Sequence, residues 1–447
     1  MMEKKLSRRD FLAKSAALGA AAAVAPSIIT SCAKSNKPLR EPGEYYIPGL
    51  EDKADNGREL KVGLVGCGNR GTGALLNLLD AADGITVAAL GDAFPDKMEE
   101  SRKKIFDKKG ITVPDEMCFV GLDAFKKVMD SAIDMVIITP PPIFHAEMFE
   151  YAVSKGLHIF VEKPVSIDAK GYRRVVAASR QADLKGLVVV TGTQRHHKRD
   201  YVEAYKKVQE GMIGEITGGT VYWNTKDHWY KKRQPGWTDM EYMIRDWINW
   251  CWVSGDNIVE QHVHNIDVFM WFIGSHPISA RAIGSRQRRS DGDQFDQFST
   301  DFEFENGVHL HSMCQQINGC DRLVKEVIHG TKGWWDSDTK EIRANDGTLL
   351  WKFDPEKEKA EHSQVNPYVL EHVDWVNHIR RGTAHNETIG TAESCLAGSM
   401  GRESAYTGKL LTWDEFSASD NNLRPDGEFT FRNMDMSKYQ VPKPGTE

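Results

Sequence analysis

Lys61-Val62-Gly63-Leu64-Val65-Gly66-Cys67-Gly68-Asn69-Arg70-Gly71 is an apolar run that breaks into three glycines spaced G-x-G-x-x-G and then gives way to Ala74-Leu75-Leu76-Asn77-Leu78-Leu79. The pattern predicts a strand, a tight turn and a helix. Gly66 permits the turn, Gly68 lets backbone N–H groups approach a pyrophosphate, and Gly71 allows close packing of helix on strand. Asn69 and Arg70 stand at the positive end of the helix, where an anion is favoured. A glycine-rich turn alone is a weak signal. Thr86-Val87-Ala88-Ala89-Leu90-Gly91-Asp92 strengthens it, because it reads as a second strand ending in a carboxylate 21 residues after Gly71. A carboxylate there accepts from ribose hydroxyls and repels a 2′-phosphate, so the expected cofactor is NAD.

Outward from this motif, residues 59–192 alternate apolar runs (61–65, 85–91, 134–139, 158–161, 187–191) with helical patterns (72–80, 95–108, 122–130, 145–155, 168–182). Such alternation predicts a Rossmann-type, doubly wound parallel sheet with helices on both faces. Ligands of these sheets lie at the carboxyl ends of the strands. Three of those ends carry polar or rigid groups: Thr139-Pro140-Pro141-Pro142-Ile143-Phe144-His145, Val161-Glu162-Lys163-Pro164 and Thr191-Gly192-Thr193-Gln194-Arg195-His196-His197. Pro140, His145, Glu162, Lys163 and Gln194 are therefore cofactor candidates, and Arg195 is a substrate candidate. Lys163, at a strand end before proline, is expected to be held rigidly beside the cofactor.

At 447 residues, two domains are the default expectation, and 40% hydrophobic with 27% charged residues is ordinary for a globular chain. Residues 1–32 stand apart. Ser7-Arg8-Arg9-Asp10-Phe11-Leu12 followed by an alanine-rich stretch resembles a twin-arginine export signal, and Ile29-Thr30-Ser31-Cys32 resembles a lipobox. Export and a lipid anchor at Cys32 are the expectation, a plainly cleaved signal the alternative, and the periplasm the expected compartment. The first 32 residues carry a net +3, so the remainder stands at −10 against −7 for the whole chain, which argues against nucleic acid as a partner. The other six cysteines are scattered without C-x-x-C spacing and read as buried thiols. Residues 33–58, polar and rich in Pro and Gly, read as a tether.

Residues 193–447 read as an α+β domain, with Val221–Asn224, Phe298–Phe304, Val308–Gln316 and Leu323–His329 suggesting a large, open, mostly antiparallel sheet. One helix interrupts it, Asn257–Phe272, on which Glu260, His264, Asp267 and Trp271 share a face. Glu260 and His264, spaced i, i+4, could pair directly, and a carboxylate beside an imidazole orients it and raises its pKa, giving a base for an alcohol proton. No third distant ligand announces itself, so no metal is expected. A late helix, Tyr368–Arg380, is predicted to stop at Gly382. Six of the twelve tryptophans fall between Trp223 and Trp252, beside Asn224, His228 and Arg233. Indole faces next to hydrogen-bonding groups suit a sugar, so Trp223, His228 and Trp229 join Arg195, His262 and Asp267 as substrate candidates.

These residues resemble the Gfo/Idh/MocA oxidoreductases over roughly Glu59–Trp413. The markers are the glycine turn, Glu162-Lys163-Pro164, and His264-Asn265-Ile266-Asp267-Val268-Phe269-Met270-Trp271-Phe272-Ile273-Gly274. The resemblance implies a Rossmann domain joined to an open-sheet domain, with activity on sugars or cyclitols. It implies that Lys163 holds the substrate hydroxyl near the nicotinamide and that His264 is the acid/base. The chain departs from the family in placing Glu260 where an aspartate is usual. His262 sits near a functional histidine of exported NAD-dependent glycosidases, which lack the lysine found here.

The leading expectation is an NAD-dependent enzyme oxidising a secondary alcohol of a sugar or glycoside, working as a homo-oligomer and holding its NAD tightly. A glycosidase or epimerase with internal hydride return is the runner-up. A binding protein that lost catalysis is the third reading, and the retained Lys163 and His264 speak against it.

Overall fold

The computed structural model describes residues 46–446, so the expected export signal, Cys32 and the first half of the expected tether lie outside the described residues. The first sheet comprises β1 (Leu60–Val65), β2 (Ile85–Asp92), β3 (Cys118–Val120), β4 (Met135–Ile138), β5 (His158–Val161) and β6 (Val189–Thr191). Its order is β3-β2-β1-β4-β5-β6 and every pair is parallel. The order reverses between β1 and β4, and this switch point opens the crevice in which ligands of such sheets lie. Helices cover both faces, so β4 is buried at all four residues. That double burial is why the sequence shows continuous apolar runs here.

The second sheet has nine strands: β7 (Ile216–Thr225), β8 (Ser279–Ser285), β9 (Gln297–Glu303), β10 (His309–Gln316), β11 (Leu323–Gly330), β12 (Gly333–Asp336), β13 (Glu341–Ala344), β14 (Leu349–Lys352) and β15 (Leu411–Thr412). Their order is β14-β13-β12-β11-β7-β10-β9-β8-β15, antiparallel except for β7 with β10. One face packs on helices and the other is open. Alternate residues of β10 are accordingly buried and exposed, from His309 outward and Leu310 inward. The expected strands are present, and the sequence reading missed β3, β8 and β12–β15.

Two contacts cross the expected divisions of the chain. The boundary at residue 192 does not divide the packing, because the helix Pro367–Arg381 returns to the nucleotide half. Its Val369, Val373, Trp375, Val376 and Ile379 share a core with Leu60, Val62, Leu75 and Leu78. Trp375 is fully buried there, and truncating such a residue typically costs about 3–5 kcal/mol. The expected tether is docked from Tyr46 onward. Leu50 and Ala54 are buried, Ala54 N donates to Ala81 O, and Asp52 pairs with Arg199. Among the described residues no helix is long and apolar enough to cross a membrane.

Candidate active site

The glycine turn joins β1 to the helix Asn69–Ala81. Gly66 has φ 91°, and a Cβ on it would lie 2.5 Å from the Thr139 carbonyl carbon. A Cβ on Gly71 would lie 1.9 Å from Gly66 O, whereas one on Gly68 meets nothing within 4 Å. The turn is thus closed against the protein and open on its outer side, above the N–H groups of the helix start. This cradle fits a pyrophosphate. Asn69 is exposed at its rim. Asp92, at the end of β2, accepts from Cys67 N at 2.7 Å and from Phe94 N at 2.9 Å. Burial pushes its carboxyl up against the pull of those two donors. Each oxygen keeps acceptor capacity for a ribose hydroxyl. Pro140 and Gln194 open the segments that follow β4 and β6, and both are half-buried.

Lys163 follows β5, and its peptide bond to Pro164 is cis. Its ammonium donates to the backbone oxygen of Glu260 and lies 3.3 Å from Glu260 Oε1. Both side chains are about nine-tenths buried. Glu260 therefore pairs with lysine, which corrects the Glu260–His264 pairing read from the sequence. The expected helix is broken, with one segment at Asn257–Glu260 and the next at Val263–Ile273, so the i, i+4 register does not run across Gln261 and His262. His264 instead packs on Trp223, ring centroids 5.9 Å apart. Burial, then Lys163, Arg195, Arg70 and His196, hold its imidazole well below the ordinary value, the opposite of the rise that pairing would give. A neutral ring remains beside a fixed cation.

Around this pair, Trp223 Nε1, Asn224 Oδ1 and His228 Nε2 are buried without a hydrogen-bond partner in the chain. Glu260 and Lys163 are among the charges that act on His228. An unpaired buried polar group costs about 1–3 kcal/mol, and a hydroxyl-rich ligand would relieve it. Trp229 is 45% exposed and meets Trp247 edge-on, so it is free to line a ligand. Trp250 and Trp252 are core residues, packed against Tyr439 of the C-terminal segment.

The remaining candidates are placed differently from expectation. His145 is buried, with Nδ1 2.8 Å from Pro164 O and Nε2 2.7 Å from Pro140 O, and burial lowers its pKa, so as a neutral ring it donates to one of these two strand-end carbonyls. Arg70 and Glu162 bind each other, and Arg70 also reaches Glu371 at 3.0 Å and lies over the Tyr368 ring. Arg195 is buried against Glu326 at 2.6 Å, where Tyr201 and Asn265 also donate to Glu326. Its guanidinium supports Trp223 from 5.8 Å. His262 is fully buried and meets Ser312 of β10 at 2.7 Å, its pKa lowered to about 3 by burial. Asp267 accepts from Ser394 at 2.9 Å and pairs with His196 at 2.7 Å. All six of these candidates, His145, Arg70, Glu162, Arg195, His262 and Asp267, thus have partners within the protein. Glu326, Glu371, Tyr368 and Arg289 were missed. Arg289 donates to Asn249 and Gln316 and keeps Nε unpartnered. None of them lies in a motif, and the fold alone brings them together.

Residues 60–191 match the family model described as oxidoreductase family, NAD-binding Rossmann fold, and residues 201–336 match the Gfo/Idh/MocA C-terminal domain. The inositol 2-dehydrogenase/D-chiro-inositol 3-dehydrogenase of Lactiplantibacillus plantarum is 26% identical over 51% of this chain and 57% of its own length. A glycosyl hydrolase family 109 protein of Shewanella pealeana is 28% identical over 51% of this chain and 48% of its own. The matches thus span about half the length of these relatives. The scyllo-inositol dehydrogenase of Lactobacillus casei, solved with NAD(H) and scyllo-inositol, superposes with a TM-score of 0.60 at 19% identity, covering 80% of this chain and 100% of that one, which is a likeness of fold. With both halves of the architecture matched by its models, the chain belongs to the Gfo/Idh/MocA oxidoreductase family.

Proposed function

We propose that the protein is an NAD-dependent carbohydrate oxidoreductase that oxidises a secondary alcohol of a sugar, glycoside or cyclitol. The observation that carries this reading is a buried Lys163 ammonium, fixed by Glu260, whose charge helps to keep His264 neutral, together with the unpartnered buried polar atoms of Trp223, Asn224 and His228. NAD, held by the glycine turn and Asp92, would supply the hydride acceptor. Lys163, held by Glu260, binds the substrate oxygen and stabilises negative charge as it develops there. His264 is neutral before the reaction and takes the hydroxyl proton. Trp223 and Trp229 offer indole surface to the ring's C–H face, and Asn224 and His228 meet its hydroxyls. The inositol dehydrogenases and the levoglucosan dehydrogenase among the similar proteins support a ring alcohol as substrate.

The export signal and Cys32 favour a periplasmic, lipid-anchored protein that carries its NAD from the cytoplasm. Retention is supported by the cover on the segment after Asp92: Phe431 stacks on Phe94 at 5.5 Å, and Arg245 lies 3.8 Å over the same ring while pairing with Asp96. Ile283, Met313 and Val324, exposed on β8, β10 and β11, support a homo-oligomer through the open sheet face. The glycosyl hydrolase family 109 relatives favour a second reading in which the hydride returns and a glycoside is cleaved. The burial of His262 against Ser312 weighs against it.

The test is to incubate purified protein, without added NAD, with a panel of cyclitols and glycosides plus a keto acceptor, and to weigh the products. Loss of two hydrogens is expected. A released aglycone with no keto product would establish the second reading, and no change across the panel with NAD bound would refute both.

A further inference from the structure

A second polar cluster takes no part in this chemistry. It joins three segments: Tyr46 near the N-terminus, Asp374 and His378 one turn apart on the helix Pro367–Arg381, and His385 after the Gly382 stop. The Tyr46 hydroxyl lies 2.6 Å from both Asp374 oxygens and 3.0 Å from His378 Nε2. His378 Nε2 stands 3.8 Å from Asp374 Oδ1, and His385 Nε2 stands 3.9 Å from Asp374 Oδ2. The two imidazoles stack at 4.5 Å.

Separations of 3.8–3.9 Å are too long for hydrogen bonds. Ligand atoms at the corners of a tetrahedron around zinc, with bonds of about 2.0–2.1 Å, lie about 3.3–3.4 Å apart. The Asp374–histidine spacings need a few tenths of an ångström of contraction, and the Tyr46 hydroxyl, 2.6 Å from Asp374, must draw back by about 0.7 Å. His378 Nδ1 is engaged by Thr383 Oγ1 at 2.7 Å, which leaves Nε2 turned into the cluster, as bound metals commonly require. His197 Nε2 holds Asp374 Oδ2 at 3.1 Å as an outer partner, while Glu387 Oε1 lies 3.2 Å from His385 Nε2 itself, so that nitrogen must exchange its contact with Glu387 for the ion, with the carboxylate charge left beside it. A cavity of about 370 Å³, lined by Tyr46, His196, His385 and Glu387, gives an entry path.

We propose that Asp374, His378 and His385, with the Tyr46 phenol oxygen as fourth donor, bind a divalent transition ion of the zinc class. Imidazole donors select such ions over magnesium or calcium. The phenol proton shared with Asp374 is exchanged for the ion and leaves to solvent. The ion pins the segment around Tyr46 to the C-terminal helix, so it stabilises the folded chain by linkage and leaves Lys163 and His264 untouched.

The test uses the full chain without a histidine tag, stripped with chelator and dialysed against zinc chloride. About one zinc per chain and a raised melting temperature are expected. Cobalt(II) in its place should give the strong visible bands of a tetrahedral site. Tyr46→Phe should weaken zinc binding about tenfold or more, and the His378→Gln/His385→Gln double variant should abolish it. A wild-type chain that takes up no zinc and gives no cobalt bands would overturn the proposal, as would a folded double variant that keeps its zinc. Should the double variant fail to fold, the cobalt spectrum of the wild type decides.

Discussion

His264 and His385 both stand among charged groups, yet their protonation runs in opposite directions. Around His264 the neighbouring charges are cations, Lys163, Arg195 and Arg70, and they add to burial in keeping the ring neutral. Around His385 burial is opposed by Glu387 and Asp374, and the balance raises its pKa. The same opposition pulls Glu387 down to about 2. The difference lies in what each carboxylate faces. Glu260 is spent on Lys163, so it steadies the cation and leaves the histidine as a free base, whereas Glu387 faces imidazole and holds it in place.

The sharpest way to break the contrast is to remove the members of the first pair. Lys163→Ala and His264→Ala should each lower turnover by about two to four orders of magnitude, with NAD still released on denaturing the His264 variant. Near-normal turnover of either variant on a confirmed substrate would show that the residue is misassigned. A smaller effect is expected at the cofactor. Asp92→Ala should weaken NAD binding by about ten- to a hundredfold and relax discrimination against NADP, measured by competition. Preference of the wild type for NADP would contradict the assignment of Asp92.

The contrast also has a pH signature. With its pKa held down, His264 stays neutral below pH 6.5, so kcat should persist there where an ordinary histidine would lose activity. A kcat that falls with an apparent pKa near 6.5 and flattens in His264→Gln would contradict this. Stability carries the smallest effect. His262, with a folded pKa of about 3 against about 6.5 unfolded, binds its proton more readily in the unfolded chain. Acidification below pH 6.5 therefore destabilises the fold through His262, and His262→Gln should flatten the fall of melting temperature over that window. His385, with its raised pKa, has the opposite sign: its contribution is full below pH 6.5 and is lost as pH rises through the folded value. An unchanged acid limb in His262→Gln would place its origin elsewhere.

The parallel half was legible because double burial writes continuous apolar runs and the glycine turn has a fixed spacing. β3 escaped notice because three residues, Cys118–Val120, carry no period. The 20-residue helix Thr388–Thr407 escaped because its Ser, Thr and Gly content disfavours helix in isolation. Those small residues serve close packing instead: a Cβ on Gly401 would stand 3.1 Å from both Ile258 and Phe302. In the site, Lys163 and His264 were readable from local motifs. The partnership of Glu260 was not, since i, i+4 spacing assumes one helix and the chain breaks at Gln261–His262. Arg195, His262 and Asp267 were assigned to substrate by proximity in sequence, while their partners Glu326, Ser312 and Ser394 lie 131, 50 and 127 residues away.

The central claim is hydride transfer from a ring carbon to retained NAD, with Lys163 and His264 handling the oxygen and its proton. It is tested most directly by mixing the purified chain, in a single turnover and without added coenzyme, with ring-deuterated cyclitols and glycosides, then denaturing it and weighing the released nucleotide. The expected result is NADH one mass unit heavy for the true substrate, absent in Lys163→Ala and His264→Ala. A protein that releases NAD but leaves it unlabelled while still consuming the sugar would contradict the account.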